Sequence, residues 1–229
     1  MRMFTILKAA SSHASILTAI SLALLVVKTL VLNRYSAPLF GIYELGLLLE
    51  AVLASVVASY VFYLFVVHLK EVSDKTTVAP YLERHTFRVV WDCENQLAAI
   101  SRFSATPLSL DSLTLSSIDE AFSKIEPYSN APLVFSSANS NANWFQYFDF
   151  HITRTRESIA RVIIQLIYLD AKHVSLLTSI DDCLHFSFMP RCQHMMVNNC
   201  DLSSFASMFH DYCKMCFELK QYMTKRNVR

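Results

Sequence analysis

The sequence predicts an all-α protein: an N-terminal two-helix transmembrane hairpin followed by a cytoplasmic helical bundle. Three observations lead there. Two apolar runs, Ala14 to Leu32 and Leu45 to Val67, fall within the roughly 17–25 residues a helix needs to cross about 30 Å of hydrocarbon. The two glycines, Gly41 and Gly46, both stand at the start of the second run, so none occurs from Leu47 to the end. Tight hairpin turns that require φ > 0 are therefore disfavoured. Finally, the strongest periodic pattern beyond the apolar runs has the helical repeat rather than the alternation of a strand.

The first run is read as a retained anchor rather than a secretory signal. Arg2 and Lys8 precede it as a basic n-region would, but the run is long for an h-region, carries Lys28 near its end and is followed at once by a second span. Lys and Arg counts set the orientation. Arg2 and Lys8 stand before the hairpin, Arg34 alone in the loop 33–40, and Lys70, Lys75, Arg84 and Arg88 after it. The excess lies on the side of both termini, which places both in the cytoplasm and the loop with Pro38 outside. From Lys70 to Arg229 no further run is long enough to cross, so residues 1–70 form the hairpin, 71–80 a connector and 81–229 one cytoplasmic domain.

Within that domain a helix is expected between Leu82 and Ser101, after a segment loosened around Ser73 to Pro80 by polar residues and the proline. Ser117 with Glu120 three residues on reads as a capping box that starts a short helix ending before Pro127. The stretch PYSNAPLVFSSANSNAN, Pro127 to Asn143, has no periodicity and reads as a surface loop. A long helix is expected from Trp144 to Asp181, with Ile152, Arg156, Ile159, Ile163, Leu166 and Ile167 along one side and a break near Asp170. The last helix is the clearest. Leu202, Phe205, Phe209, Tyr212, Cys216, Leu219 and Met223 follow a 3-4-3-4-3-4 spacing on one face, behind Asp201 as N-cap. Four or five helices in all would form an irregular bundle.

The same composition bounds the chemistry. A glycine-free soluble part holds no phosphate-cradling loop, nucleophile elbow or dinucleotide fingerprint, so nucleotide-dependent enzyme classes are disfavoured. No catalytic group, cofactor or metal is assigned, and the protein is not expected to be an enzyme. A formal charge of +1 gives no acidic or basic tail to interpret. Cys183, His185, Cys192, His194, Cys200, Cys213 and Cys216 crowd the C-terminal third in spacings that resemble parts of zinc sites. Cys216 nevertheless falls on the apolar face of the last helix, where it acts as a small hydrophobe, and free thiols are the preferred reading.

Two charges fall inside the spans. Lys28 lies ten residues before Pro38 and Glu50 twelve after it, at similar depth on neighbouring helices and placed to pair. An unpaired charge at depth costs on the order of 2.5–3.5 kcal/mol on insertion scales, so the alternatives are an ion pair, snorkelling to the headgroups, or a polar path. Small residues recur every fourth position, as Ser11, Ser15, Ala19 and Ala23 and as Ala51, Ser55 and Ser59. Such stripes either dock the two spans or face a second copy, which makes a homo-oligomer possible. In the soluble part Arg154, Arg156 and Arg161 follow Trp144, Tyr147 and Phe148. Arginines with aromatic rings suit nucleic acid, through phosphate contact and stacking; the other reading is a solvated helix face beside an aromatic core.

Taken together, the two spans, including GIYELGLLLEAVLASVVASYVFYLFVVHLKE at Gly41 to Glu71, and the compact helical domain after them resemble small two-transmembrane proteins of bacterial anti-phage defence, the retron membrane effectors above all. The resemblance is one of architecture and size over the whole chain. It implies an inner-membrane toxin held silent by a reverse transcriptase and its RNA-linked DNA, acting in abortive infection by damaging the membrane. The competing class is a non-toxic membrane anchor or signalling scaffold that docks a cytoplasmic partner.

Overall fold

The protein is described by a computed structural model, which covers residues 12–30, 42–135, 140–195 and 197–227. Arg2, Lys8, Ser11, Arg34, Pro38 and Gly41, on which parts of the topology and packing expectations rest, lie outside the described residues. The chain divides into two compact units, Met1–Val78 and Ala79–Arg229. The described residues are all-α in class, with a single two-stranded sheet.

In the first unit, α1 (Ser12–Leu30) and α2 (Ile42–Phe62) lie antiparallel. Ser15 Oγ meets Tyr60 Oη at 2.6 Å toward one end, and Lys28 Nζ donates to Glu50 toward the other. The mutual face is Ala14, Thr18, Ser21, Leu25 and Lys28 against Gly46, Glu50, Leu53, Val57 and Tyr60, all buried or half-buried. Both sets repeat at 4-3-4-3, the period of a two-helix seam. Of the small-residue stripes only Ser15 reaches this seam among the described residues; Ala19, Ala23, Ala51, Ser55 and Ser59 are exposed. Exposed too are Ile16, Leu17, Ile20, Leu45, Leu48 and Val52. Both helices are long and apolar enough to cross a membrane.

After α2 the backbone widens to a π-helical turn, Tyr63–His68, and continues as α3 (Leu69–Ser104). The expected loosening at Ser73 to Pro80 is absent: the helix runs through, with Pro80 inside it. Proline removes one N–H donor, and threonines beside it turn inward on the backbone, Thr76 and Thr77 both donating to Ser73 O at 2.8 and 2.9 Å. The helix ends at Ala105, whose φ of 53° lies in the left-handed region usually reserved for glycine at a helix C-terminus.

The second unit adds α4 (Leu115–Phe122), β1 (Asn130–Phe135), β2 (Ser140–Asn143), α5 (Trp144–Ile163), α6 (Ala171–Asp181), α7 (Leu184–Cys192) and α8 (Ala206–Asn227). Helix α4 is capped one turn earlier than expected. Thr114 is the N-cap and Ser117 the third helical residue of a reciprocal capping box. The stretch read as a loop, Pro127 to Asn143, contains an antiparallel strand pair with Asn130 opposite Asn143 and Phe135 opposite Ser140. Its register shifts between Asn130 and Val134. Pro132 stands there without an N–H to give to a ladder, which is why a bulge is tolerated.

The break near Asp170 is present. Helix α5 stops at Ile163, a 3-10 turn spans Leu166–Tyr168, and Asp170 caps α6 by accepting from the His173 N–H at 2.9 Å. Of the side expected to pack, Ile152 and Ile159 are buried; Leu166 and Ile167 are exposed because the chain turns away after Ile163, and Arg156 is exposed at the edge of that side, where it meets Asp181. Helix α7 was not anticipated, so the second unit holds more helices than the four or five expected. The anticipated face holds: Leu202 and Phe205, ahead of α8, and Phe209, Tyr212, Cys216, Leu219 and Met223 on it are all buried. Asp201 serves the 3-10 turn Ser203–Phe205 that precedes α8, accepting from the Ser203 N–H at 2.9 Å.

Aromatic rings from α4, α5, α7 and α8 meet in the centre. Phe122 and Phe148 pack on Phe209 at 5.3 and 5.7 Å between ring centroids, and His185 stacks on Tyr212 at 5.2 Å. Burial pushes His185 down to about 3, so it is a neutral member of the core.

Candidate arginine–aromatic site

The outward sides of α3 and α5 form the site. Residues 84, 87, 88 and 91 of α3 are spaced so that two arginines and two rings share its solvent side while Leu82, Val89 and Cys93 go inward. On α5, Phe150, Thr153, Arg154, Glu157 and Arg161 line the side opposite Ile152, Thr155 and Ile159. Between the helices lies an open groove of about 370 Å³, lined by Arg88, Phe150, Thr153, Arg154, Glu157, Ser158 and Arg161. Phe87, Trp91 and Phe150 are 41%, 51% and 42% exposed.

Three guanidinium groups converge there. Among the described residues neither Arg88 nor Arg161 has a carboxylate within ion-pair distance. Their fields reach the buried His85, which is held below its ordinary value by burial first and then by Arg161, Arg84 and Arg88. Arg154 is half-buried, stacks over Trp91 at 5.1 Å and brings Nε to 3.3 Å from Asp92 Oδ1. Asp92 itself is fully buried. Burial raises it to about 6 against the opposing pull of Arg154 and Arg88. The arrangement suits an anion with a planar attachment: guanidinium groups for phosphate oxygens, exposed rings for bases.

The structure divides the arginines singled out from sequence. Arg154 and Arg161 face the groove. Arg156 does not: two residues along a helix is about 200° of rotation, so it turns to α6, donating from Nε to Asp181 Oδ1 at 3.1 Å and lying over Phe186. Trp144 is a correction, being fully buried and packed edge-on against Phe103 and Tyr147 at 5.3 and 5.4 Å, with no surface for a ligand. Sequence reasoning missed Arg88, Phe87, Trp91 and Phe150. The signal was present in the interleaved pairs Arg84/Arg88 and Phe87/Trp91, each four apart and so on adjoining faces; nothing local tells such rings from core rings.

Lys28 and Glu50, the charges inside the apolar helices, are brought together. The Lys28 side chain passes beside Gly46 and is almost fully covered. Histidines and cysteines form no comparable site. His173 Nε2 lies 3.0 Å from Thr86 Oγ1, but both residues are fully buried, and the Asp170 carboxylate beside them caps α6 and accepts from Tyr222. Cys93 Sγ is 3.6 Å from Cys213 Sγ, and burial holds both thiols above their ordinary value. No group of three or more His, Cys, Asp or Glu among the described residues is arranged to hold a metal ion. Compared with known proteins, the chain matches no family model, no curated protein and no solved structure.

Proposed function

We propose that the protein is a membrane-inserted effector whose helical domain docks a nucleic-acid-bearing partner on the α3/α5 groove. The partner that the retron resemblance implies is a reverse transcriptase with its RNA-linked DNA. In this reading α1 and α2 cross the bacterial inner membrane with both termini in the cytoplasm, and losing the partner frees them to disrupt the bilayer, the step of an abortive-infection toxin. The protein acts by docking and insertion, without a catalytic step.

The observation that carries the docking part is the convergence of Arg88, Arg154 and Arg161 beside the exposed rings Trp91 and Phe150. Insertion is supported by the outward Leu, Ile and Val side chains of α1 and α2, which need an apolar surrounding. The outward stripe Ala51, Ser55 and Ser59 is available for a second copy. A second reading, a non-toxic anchor or scaffold, is favoured by the Lys28–Glu50 pair, which satisfies both charges within one helix pair.

Purification from native membranes separates the two. The parent chain should carry nucleic acid and a reverse transcriptase, and Arg88→Glu with Arg161→Glu should strip them without altering membrane insertion, since reversed charge repels phosphate. Expressed without its partner, the parent should slow growth. A parent that carries no nucleic acid and is tolerated by the cell supports the anchor instead.

A further inference from the structure

Asp92 lies behind the groove, on the inward side of α3, with no exposed surface. A buried carboxylate ordinarily collects several hydrogen bonds, yet neither Asp92 oxygen accepts one from the described protein groups. Its ionised form rests on Arg154, 3.3 Å away. That same guanidinium lines the groove with Arg88 and Arg161. One cation therefore stands between a buried carboxylate inside and any anion that enters from outside.

The other groups facing Asp92 do not replace it. Arg88, on the same helix, acts only at longer range. From α5, His151 Nδ1 is 3.9 Å away, and burial, then Arg154, push that imidazole down to about 4, so it is neutral. Tyr147 on α5 and Cys216 on α8 are held protonated, chiefly by burial, with Asp92 adding to the effect.

Resting on the reading of the groove as a phosphodiester site, we propose that the Asp92–Arg154 pair is a latch: a phosphate seated between Arg88 and Arg161 draws the Arg154 guanidinium outward, and Asp92 takes up a proton as its cation leaves. The proton comes from solvent, the carboxylate becomes a carboxylic acid, and no bond to phosphorus changes. Burial already places Asp92 at about 6 with Arg154 in position, and loss of the cation moves it higher. Above pH 6 the free protein holds Asp92 mostly ionised, while the bound protein holds it protonated. The bound state carries more protons, so affinity must rise as pH falls, approaching tenfold per pH unit.

The test titrates the full chain in lipid nanodiscs with a short single-stranded DNA oligonucleotide, at pH 7 and pH 8, by calorimetry in two buffers of different ionisation enthalpy. Expected are uptake of close to one proton per site, several-fold tighter binding at pH 7, and a change in tryptophan emission from Trp91 as Arg154 leaves its ring. Asp92→Asn should bind without proton uptake and equally at both pH values. If that variant fails to fold, the proton count of the parent decides. Oligonucleotide binding with no proton uptake, or an unchanged pH dependence in Asp92→Asn, overturns the latch and leaves the groove reading standing. Where the oligonucleotide does not bind, sulfate, which does not titrate at these pH values, serves as the second probe: sulfate binding with uptake of one proton supports the latch with a free oxyanion as its ligand, and sulfate binding without uptake overturns it. No binding of either probe by the parent overturns both.

Discussion

In α1 and α2 the buried side chains include Ser21, Lys28 and Leu53, while Ile16, Leu17, Leu45 and Leu48 face outward; in residues 79–229, Trp144, Phe148 and Phe209 are inside and Arg88 and Arg161 outside. With α1 and α2 placed across a bilayer, as proposed, the two regions solve opposite solvent problems. In water, burying apolar surface stabilises by roughly 25 cal/mol per Å², so the domain hides its rings. Between helices in hydrocarbon that driving force is missing, and close packing and polar contacts hold elements together. The Lys28–Glu50 pair and the Ser15–Tyr60 hydrogen bond are such contacts. The domain also leaves rings exposed, Phe103, Tyr128 and Phe188 among them; the groove differs in setting Trp91 and Phe150 beside three arginines.

The largest effect that would break this comparison is a core truncation in the domain. Trp144→Ala should lower unfolding stability by about 3–5 kcal/mol, read by denaturant titration in nanodiscs with a domain-specific probe, whereas Leu48→Ala on the outward face of α2 should leave the same transition unmoved. Equal effects would mean that Leu48 packs against something in the native protein and that the inside-out reading of the helix pair is wrong.

A smaller effect belongs to the helix pair. Lys28→Glu places two carboxylates together and should weaken α1–α2 association, while Lys28→Glu combined with Glu50→Lys should restore it. The coupling expected from a double-mutant cycle is about 1–2 kcal/mol, the scale of polar contacts between membrane helices. The measurement is cysteine cross-linking between the helices in membranes, and an additive cycle would leave Lys28 and Glu50 as independent, solvated charges. Smallest is the cap of α4: Thr114→Ala removes the oxygen that accepts from the Ser117 N–H at 3.2 Å and should cost about 1 kcal/mol. A Tm shift well beyond that would show that α4 carries more of the domain than its eight residues suggest.

Legibility differed between elements for physical reasons. The buried face from Leu202 to Met223 was readable, because an amphipathic helix writes its burial directly into a 3-4 spacing, but its start was not: Asp201 serves a 3-10 turn instead of capping α8. The strand pair 130–135 and 140–143 was not: a short bulged ladder lacks alternation, and its Ser and Asn residues look like loop. Pro80 pointed to an interruption that the long helix absorbs. Arg154 and Arg156 looked alike in sequence and separate in space, one toward the groove and one toward Asp181, through a rotation that only the neighbouring helices turn into different partners.

By itself the sequence determined the helical class, the two runs long and apolar enough to cross a membrane, the α8 face and the proximity in depth of Lys28 and Glu50, since each follows from local composition, length or period. Tertiary structure decided which aromatics are core and which are surface, which arginines share a groove, and that Asp92 is buried behind Arg154. Those properties depend on residues far apart in the chain, Asp92 from Arg154 by 62 positions and Arg88 from Arg161 by 73. Burial and charge pairing are sums over neighbours in space, and no local pattern encodes them.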